Sequence, residues 1–500
     1  MTPPGRLLCV FGTASDVGKS WVTAGLCRLF ANRGVSVAPY KAQNMSNNAG
    51  VTPDGLEMGR AQMVQAYAAR LVPHVDMNPL LLKPSSDTGA QVVALGKVLG
   101  AMSARDYFRG GPQADRRRAL VHGALDRLRH QYHLIVAEGA GSCAEVNLRD
   151  RDLVNMPIAH HGDGRVIVVA DIHKGGVFAQ CVGTLACMPP EDRARVAGFI
   201  INRFRGDPTL FEDGVAWLES TTGLPVLGVV PWAPHIHIEL EDGLAPDTVI
   251  DGPPPSTPGQ FHVAVLRIPH ISNFTDFDAL ERHGARVHYI ARPRDLSAYD
   301  LVVLPGSKNT RADLAWLRDQ GWAPLLDQRA ASGGAILGIC GGYQMLGRQI
   351  TDSHGIEGPP GTSDGLGLLP VHTHMARTKT TREATGRLGD LPVHGYEIHV
   401  GETHVDGPPL LLLDGPTGPA PDGTHAGSVF GTYLHGLFDA PGVVARLLGP
   451  IRPDIAWPEL PSHSTWRDTQ LDLLAAHLEA HLDLPRLFAL AHLPHSGGTP

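Results

Sequence analysis

Cysteine, basic charge and long apolar runs are all scarce in this 500-residue chain, and each shortage excludes a class of protein. Six cysteines are too few for a disulfide framework in a chain of this size, which favours a reducing compartment. Lysine and arginine number 42 against 50 acidic residues, and the net charge of −8 argues against a nucleic-acid partner. No apolar run is long enough to cross a bilayer, and the first residues lack the apolar region of a signal peptide. We therefore expect a cytoplasmic protein with neither a membrane nor a nucleic-acid partner.

The distribution of apolar residues predicts an α/β protein of more than one domain, since 500 residues exceed what one core usually supports. Short β-branched runs alternate with helical patterns through the first half, and this spacing predicts a parallel sheet. A proline-rich stretch then separates this half from a new strand pattern at residues 261–268. The strands predicted in the first half are residues 7–11, 35–39, 134–137, 166–170, 196–201 and 226–230.

The most informative stretch is residues 335–347, where an apolar, strand-like run leads into Cys340 and a helix-like pattern follows. Gly341 and Gly342 come directly after the cysteine, and glycines there leave room for a tight turn and for a substrate. Backbone N–H groups at the start of such a helix, that of Gly341 among them, can stabilise an oxyanion. We predict a nucleophilic thiol at Cys340; the alternative is an inert cysteine buried at the end of a strand.

Two further segments supply partners for such a thiol. His435 lies between small and apolar residues where a strand would end, and a cysteine nucleophile requires a base that is distant in sequence. Because the chain has 26 histidines, a structural role for His435 is the alternative. Gly306 follows the apolar residues 301–304 and could give a backbone donor to the oxyanion, although Pro-Gly also marks ordinary turns.

A phosphate-binding loop is predicted close to the N-terminus. The apolar residues 8–11 lead into Gly12-Thr13-Ala14-Ser15-Asp16-Val17-Gly18-Lys19-Ser20, and a helical pattern follows. In this arrangement backbone N–H groups face an anion, the lysine reaches the β- and γ-phosphates, and the serine hydroxyl binds Mg²⁺. A plain glycine-rich turn is the alternative. The predicted ATP-binding residues of the loop are Gly12, Thr13, Val17, Gly18, Lys19 and Ser20.

Three charged residues extend the predicted nucleotide site. Glu138 ends the apolar run 134–137, and a carboxylate at the carboxyl end of a parallel strand faces the ligand crevice, where it can bind Mg²⁺. Asp16, within the loop, is a further candidate ligand for the metal beside Ser20. Lys41 follows the second predicted strand, where its ammonium could hold a carboxylate that is to be activated. Exposed positions on the surface are the alternative for Glu138 and Lys41.

The second half of the chain resembles the class I glutamine amidotransferases, in the branch of the cobyrinate-type synthases. In that family a cysteine attacks the side-chain amide of glutamine, forms a thioester and releases ammonia, and its motifs correspond to Gly306, Cys340 and His435. The resemblance implies that Gln344 helps to hold the glutamine. Many class I members carry a glutamate two residues after the histidine, but this chain has Leu437, like its branch. This implies a Cys–His dyad and leaves open what orients the imidazole.

The first half resembles dethiobiotin synthetase and its relatives, which also have five residues between the glycines of the loop. Glu138-Gly139-Ala140-Gly141 resembles their magnesium-binding segment, and the resemblance implies that Asn202 contacts the adenine. The two resemblances together imply the organisation of the chain: a P-loop ATP-dependent synthetase domain with a doubly wound parallel sheet at 1–245, a linker at 246–259, a flavodoxin-like glutamine amidotransferase domain at 260–445 and a helical tail at 446–500.

Longer strings, among them Lys41-Ala42-Gln43-Asn44-Met45-Ser46-Asn47-Asn48 and His394-Gly395-Tyr396-Glu397-Ile398-His399, resemble the cobyric acid synthase family. That resemblance implies amidation of the b, d, e and g carboxylates of adenosylcobyrinic acid a,c-diamide in cobalamin biosynthesis. Glutamine would supply ammonia, ATP would activate each carboxylate as an acyl phosphate, and Mg²⁺ would accompany the ATP. We also expect a protected route for ammonia between the two sites.

Alternatives remain open on the sequence alone. Cobyrinic acid a,c-diamide synthase shares the architecture and acts on other carboxylates. A partition-type P-loop ATPase with an inactive glutaminase-like domain comes from another class, although such proteins usually carry a lysine where this chain has Ala14. A metal site at His235, His237 and Glu239 has a spacing that arises easily by accident. The oligomeric state is also open, and a homo-oligomer is one alternative.

Overall fold

The computed structural model describes residues 3–86, 89–239, 259–415 and 417–493. Residues 246–258 of the predicted linker lie outside these ranges, and the three boundaries between the four predicted segments stay predictions. Within the described ranges, no helix combines the length and the apolar character that a membrane span requires.

A six-stranded sheet, parallel throughout, organises the first half of the chain. Its apolar runs are buried, as expected for a sheet that is covered on both faces. The six predicted strands are confirmed, and all of them belong to this sheet. From one edge to the other, the strands are Val226–Pro231, Val196–Phe204, Arg165–Asp171, Arg6–Gly12, Leu134–Glu138 and Val37–Tyr40.

Helices cover both faces of this sheet. Alternate residues of the strand Arg6–Gly12 accordingly pack into two different apolar clusters, one on each face. Tail helices His463–His481 and Leu484–Leu490 join the cluster on one face, where Asp468 accepts a hydrogen bond from Arg28 at 2.6 Å. The other helices of this half are Lys19–Asn32, Arg60–Ala68, Ala104–Tyr107, Pro112–Gln131, Met156–His161, Val177–Cys187, Pro190–Arg193 and Glu212–Thr222.

A second six-stranded sheet organises the other half, and five of its strands run parallel. Its order from edge to edge is Arg286–Ile290, His262–Leu266, Leu301–Leu304, Ala335–Ile339, Val429–Thr432 and the antiparallel Thr424–Ala426. The helices of this half are Asp278–Arg282, Thr310–Asp319, Trp322–Ala331, Gly341–Leu346 and Val443–Leu448.

The structure also contains smaller sheets that the sequence pattern does not predict. One is dominated by the long antiparallel pair Val371–Leu388 and Leu391–Val405, joined by Gly361–Asp364, Gln349–Asp352, Leu411–Gly415 and Gly418–Asp422. Others, in the first half, are the four strands Gln43–Met45, Leu80–Ser86, Gly89–Ala94 and Lys97–Ser103, and the pair Ala49–Val51 with Glu57–Gly59. Tyr396 and Ile398 of the long pair pack against apolar residues of these first-half strands, so the additional sheets join the two halves.

Candidate active sites

Cys340 occupies a strained turn between the strand Ala335–Ile339 and the helix Gly341–Leu346. Its φ of 51° and ψ of −108° are rare for a residue with a side chain, and strain of this kind is typical of nucleophile turns. The backbone N–H of Cys340 donates to the carbonyl of Thr432 at 2.9 Å. A Cβ on Gly342 would lie 1.9 Å from the carbonyl oxygen of Leu304, so only glycine fits there. The strand-to-helix turn expected around the thiol is therefore present and tightly held.

His435 is buried beside this thiol and is oriented by Asp276. Cys340 is one of the neighbours that raise the pKa of His435, and its thiol donates to the carbonyl of Ile398 at 3.6 Å. Nδ1 of His435 lies 2.7 Å from Oδ2 of Asp276. The other carboxylate oxygen of Asp276 accepts the N–H of Gly436 at 2.9 Å, which fixes the carboxylate in turn. Burial disfavours the charged imidazole, but the attraction of Asp276 and the hydrogen bonds from both partners outweigh it and raise the pKa of His435 to about 10. The thiol thus lies beside an imidazole that a buried carboxylate holds in place.

Two backbone segments approach the thiol from either side. A Cβ on Gly341 would lie 2.8 Å from the backbone nitrogen of Ser307, and a Cβ on Gly306 would lie 3.4 Å from Cε1 of His435. The expected oxyanion donors at positions 306 and 341 are therefore brought together at one place. Gln344 lies one helical turn beyond the cysteine, where its Nε2 donates to the Tyr433 hydroxyl at 3.0 Å. Its buried Oε1 has no hydrogen-bond partner among the described residues, which leaves an acceptor for a bound amino acid.

The predicted phosphate loop has the backbone geometry of an anion site. Gly18 adopts a left-handed φ of 93° and caps the helix Lys19–Asn32, so the first N–H groups of that helix open onto the loop. The ammonium of Lys19 curls over the same loop and donates to the carbonyl oxygens of Ala14 at 2.9 Å and Gly141 at 3.1 Å. A lysine in this place can transfer those hydrogen bonds to phosphate oxygens.

Other predicted nucleotide residues surround the loop. Asn202 is buried and donates from Nδ2 to the carbonyl of Val17 at 2.9 Å, which ties the end of its strand to the loop. Thr13 donates its hydroxyl to Gln180 at 3.2 Å. Asp16 is exposed at the tip of the loop, with a φ of 57°.

Glu138 is the centre of a buried cluster that unites the remaining predicted residues. Its Oε1 accepts hydrogen bonds from the hydroxyl of Ser20 and the ammonium of Lys41, both at 2.8 Å. Its Oε2 accepts from Nε2 of Gln65 at 2.5 Å. The serine hydroxyl and the carboxylate place two hard oxygen ligands next to each other, as a Mg²⁺ site requires. Mg²⁺ takes its remaining ligands from water and phosphates. The structure thus brings Ser20, Lys41 and Glu138 together.

The alternative metal site at residues 235–239 is not supported. Glu239 forms an ion pair with Arg60, and its carboxylate also lies 2.9 Å from Nε2 of His463. Over the described ranges, no group of three or more His, Cys, Asp or Glu side chains is arranged to hold a metal ion.

A chain of buried amides crosses the contact between the two halves. Nδ2 of Asn273 lies 3.3 Å from Nε2 of His435, and Oδ1 of Asn273 accepts the backbone N–H of Ala49 at 3.1 Å. Asn48 accepts the backbone N–H of Phe274 at 3.3 Å, and its own carbonyl accepts the N–H of the first residue of the helix Arg60–Ala68 at 3.1 Å. The amides of Asn273 and Asn48 therefore connect the base of the thiol with that helix.

The same chain continues along the helix to Glu138. Gln62 accepts from Nδ2 of Asn44 at 2.8 Å, and Gln65 follows one turn later with its bond to Glu138. Nδ2 of Asn48, Nε2 of Gln62 and Oε1 of Gln65 are buried and have no hydrogen-bond partner among the described residues. Buried polar atoms normally have partners, so three unpaired atoms on these side chains point to a polar guest.

A buried ion-pair cluster accompanies these amides. Glu57 of the first half accepts from Lys83 at 2.7 Å and from Lys379 of the second half at 2.5 Å. Burial opposes the charged carboxylate, but the two ammonium groups prevail and hold the pKa of Glu57 well below its usual range.

No sequence motif indicated a role for Asp276, Asn273 or Gln65. Asp276 lies 159 residues from the histidine that it orients, on the short helical segment Phe274–Phe277, and no motif marks it. A usable signal existed for the glutamines, because Gln62 and Gln65 are three residues apart in a helix otherwise rich in small and apolar residues.

Comparison with known proteins identifies the family of each half of the chain. Residues 8–246 match the family model described as the CobQ/CobB/MinD/ParA nucleotide binding domain, and residues 262–443 match that of the CobB/CobQ-like glutamine amidotransferase domain. These matches define the class: a glutamine amidotransferase with a nucleotide-binding domain, which is an enzyme of the ligase type.

Full-length relatives then narrow the class. The chain is 53% identical over 495 residues to a cobyric acid synthase of Chlorobium phaeobacteroides (strain BS1), covering 97% of this chain and 99% of the relative. It is 51% identical over 500 residues to a cobyric acid synthase of Chlorobaculum tepidum, covering 98% and 99%. The chain belongs to the cobyric acid synthase family. This membership gives no support to the partition-type alternative with an inactive glutaminase-like domain.

The contact between Asp276 and His435 leads to a pH-dependent prediction. Because the carboxylate raises the pKa of His435 to about 10, the imidazolium persists well into the alkaline range. Asp276→Asn removes the negative charge and lowers that pKa, so the alkaline limb of kcat/KM for glutamine hydrolysis should move to lower pH. The loss of orientation should also reduce kcat roughly 10²- to 10⁴-fold, by analogy with triads that lose their carboxylate.

The matched control is Asp295→Asn, which alters an exposed aspartate of the same half and should leave the profile unchanged. Equal pH profiles for wild type and Asp276→Asn would show that Asp276 does not act on the histidine.

Proposed function

We propose that this chain amidates the b, d, e and g carboxylates of adenosylcobyrinic acid a,c-diamide, using glutamine as the nitrogen source and ATP for activation. The observation that carries the proposal is the pairing of two sites in one chain, a Cys340–His435 site and a Ser20–Lys41–Glu138 site, with buried amides between them. The names of its full-length relatives support the choice of substrate.

At the first site, the thiol of Cys340 loses its proton to His435, and the sulfur attacks the side-chain amide carbon of glutamine. Backbone N–H groups near Gly306 and Gly341 would donate hydrogen bonds to the oxyanion of the tetrahedral intermediate. The imidazolium then protonates the leaving nitrogen, and ammonia departs from the thioester. Water, deprotonated by His435, hydrolyses the thioester to glutamate and restores the thiol. Asp276 stabilises the imidazolium in both halves of this sequence.

At the second site, a carboxylate is a poor acceptor of ammonia because its leaving group would be oxide. A carboxylate oxygen of the corrinoid attacks the γ-phosphorus of ATP, ADP leaves, and an acyl phosphate forms. Lys19 and Lys41 supply positive charge for the phosphates and the incoming carboxylate, while Ser20 and Glu138 would hold Mg²⁺. The metal ion would neutralise phosphate charge during transfer. Ammonia then attacks the carbonyl carbon, and phosphate leaves to give the amide.

Ammonia would pass between the sites along the buried amides of Asn273, Asn48, Gln62 and Gln65. A neutral guest that both donates and accepts hydrogen bonds suits the unpaired donors on Asn48 and Gln62 and the unpaired acceptor on Gln65. Burial of these side chains supports a route that excludes solvent, in which ammonia stays unprotonated.

Gln62→Leu tests this route, because leucine keeps the volume but removes both polar atoms from the middle of the chain of amides. We expect glutamine hydrolysis to continue while the yield of amide per glutamate falls several-fold. Amidation from added ammonium should persist, since that ammonia reaches the second site directly. The measurement is the ratio of glutamate to corrinoid amide in one reaction.

Gln470→Leu is the matched control, because Gln470 is another largely buried glutamine whose hydrogen bond, to the backbone of His237, lies in the tail contact. An unchanged coupling ratio in Gln62→Leu would contradict the route.

The proposed function is tested by following product mass after incubation of the protein with ATP, Mg²⁺, glutamine and adenosylcobyrinic acid a,c-diamide. We expect four successive replacements of a carboxyl hydroxyl by an amino group. Amidation of cobyrinic acid at the a and c positions, with no reaction of the a,c-diamide, would instead support the cobyrinic acid a,c-diamide synthase alternative.

A further inference from the structure

An apolar cleft adjoins the Ser20–Lys41–Glu138 site, and the reaction steps described above assign it no role. The cleft has a volume of about 520 Å³ and begins at Gln43 and at the loop segment 140–142. Gln43 lies two residues after Lys41, and the segment begins two residues after Glu138. Gly141 of the same segment accepts a hydrogen bond from Lys19. The cleft and the phosphate-binding loop therefore share a wall.

That shared wall is held firmly in place. The side chain of Asn155 donates to the carbonyl of Ala140 at 3.0 Å and accepts its N–H at 3.1 Å. The N–H of Cys143 donates to the carbonyl of Gly12 in the phosphate loop at 3.0 Å. A ligand resting on this wall would have a fixed distance to the nucleotide.

The remaining walls suit a large apolar body with charged substituents. Phe108, Met156 and Met188 line the cleft, and Val146 and Leu148 stand at it with 68% and 41% of their surface exposed. Large apolar side chains left exposed beside a functional site usually mark a binding surface. Arg149 and Arg151 lie on the same lining; Arg149 forms ion pairs with Glu191 and Asp192 of the cleft at 3.0 Å, so Arg151 is the arginine that can face a substrate carboxylate.

We propose that this cleft binds one edge of the corrin ring, so that the methyl-bearing hydrocarbon of the macrocycle packs on the apolar wall and a peripheral carboxylate reaches Lys41. The inference rests on the proposed function and adds the place where the substrate binds. A corrinoid is larger than the cleft, so only one edge enters. Arg151 then lies where a neighbouring peripheral carboxylate emerges.

Leu148→Glu tests the cleft by placing a negative charge on the apolar wall that an anionic corrinoid must cover. We expect the dissociation constant for adenosylcobyrinic acid a,c-diamide, measured by equilibrium dialysis through its visible absorbance, to rise about tenfold or more. Val146→Glu should also raise the dissociation constant, and the conservative variant Leu148→Met should bind the corrinoid as the wild type does. An unchanged melting temperature would show that each variant is folded.

The control is Leu210→Glu, which adds the same charge at a leucine that is 84% exposed elsewhere in the same half. It should bind the corrinoid as the wild type does. Wild-type affinity in both Leu148→Glu and Val146→Glu, with a wild type that amidates the corrinoid, would overturn the cleft assignment alone. A wild type that neither binds nor amidates the corrinoid would overturn the proposed function and the cleft with it.

Discussion

Cys340→Ala should lose glutamine-dependent amidation, by about 10⁴-fold or more, while amidation from added ammonium stays close to the wild-type rate. Alanine removes the only atom that can form the thioester, so no ammonia is released from glutamine. The carboxylate is still activated at Ser20, Lys41 and Glu138, and external ammonia can attack the acyl phosphate. The measurement compares corrinoid amide formed with glutamine and with ammonium salt as alternative nitrogen sources.

Cys181→Ala is the control, because it removes another buried cysteine, which lies in the helix Val177–Cys187 and packs in an apolar cluster of the first half. It should keep both activities. If Cys340→Ala loses ammonium-dependent amidation as well, while remaining folded, the two sites are not separable as we describe.

Lys19→Ala should abolish amidation from either nitrogen source, by roughly 10³-fold, because a phosphate-loop lysine stabilises charge on the transferring phosphoryl group. In the structure its ammonium already lies over the loop, bonded to the carbonyls of Ala14 and Gly141. ADP release in the presence of the corrinoid should fall with amidation, since both depend on the same step.

Lys97→Ala, at an exposed lysine of the same half, should be neutral. Substantial ADP and amide formation by Lys19→Ala with ammonium would contradict the assignment of the loop.

The parallel sheet of the first half could be predicted from the sequence because its strands are short apolar runs rich in β-branched residues. Such runs are typical of a sheet that is covered on both faces. The antiparallel pair Val371–Leu388 and Leu391–Val405 could not be predicted, because its alternating residues include many exposed polar and charged side chains. Pairing of that kind is decided by contacts between distant strands rather than by local pattern.

The residues of the candidate sites fall into the same two groups: those that a local motif marks and those that only tertiary contacts bring into the site. Cys340 and Glu138 lie at strand ends followed by glycine, and Lys19 lies between the glycine loop and a helix, so local motifs marked all three as candidates. Asp276 and Gln65 have no such motif, and their roles depend on which side chains the folded chain brings to within a hydrogen bond. The position of a charged or amide side chain in the interior is a property of the tertiary structure.

The transfer of ammonia inside one chain is tested most directly by isotope competition. Wild-type protein is supplied with unlabelled glutamine, ATP, Mg²⁺ and the corrinoid diamide in the presence of ¹⁵N-ammonium, at a concentration too low for ammonium alone to support amidation, and the isotope content of the product amides is read by mass spectrometry. Ammonia that travels from Cys340 through the buried amides should give product amides that contain almost no ¹⁵N. Product amides labelled in proportion to the ammonium in solution would show that ammonia leaves the protein before it is used.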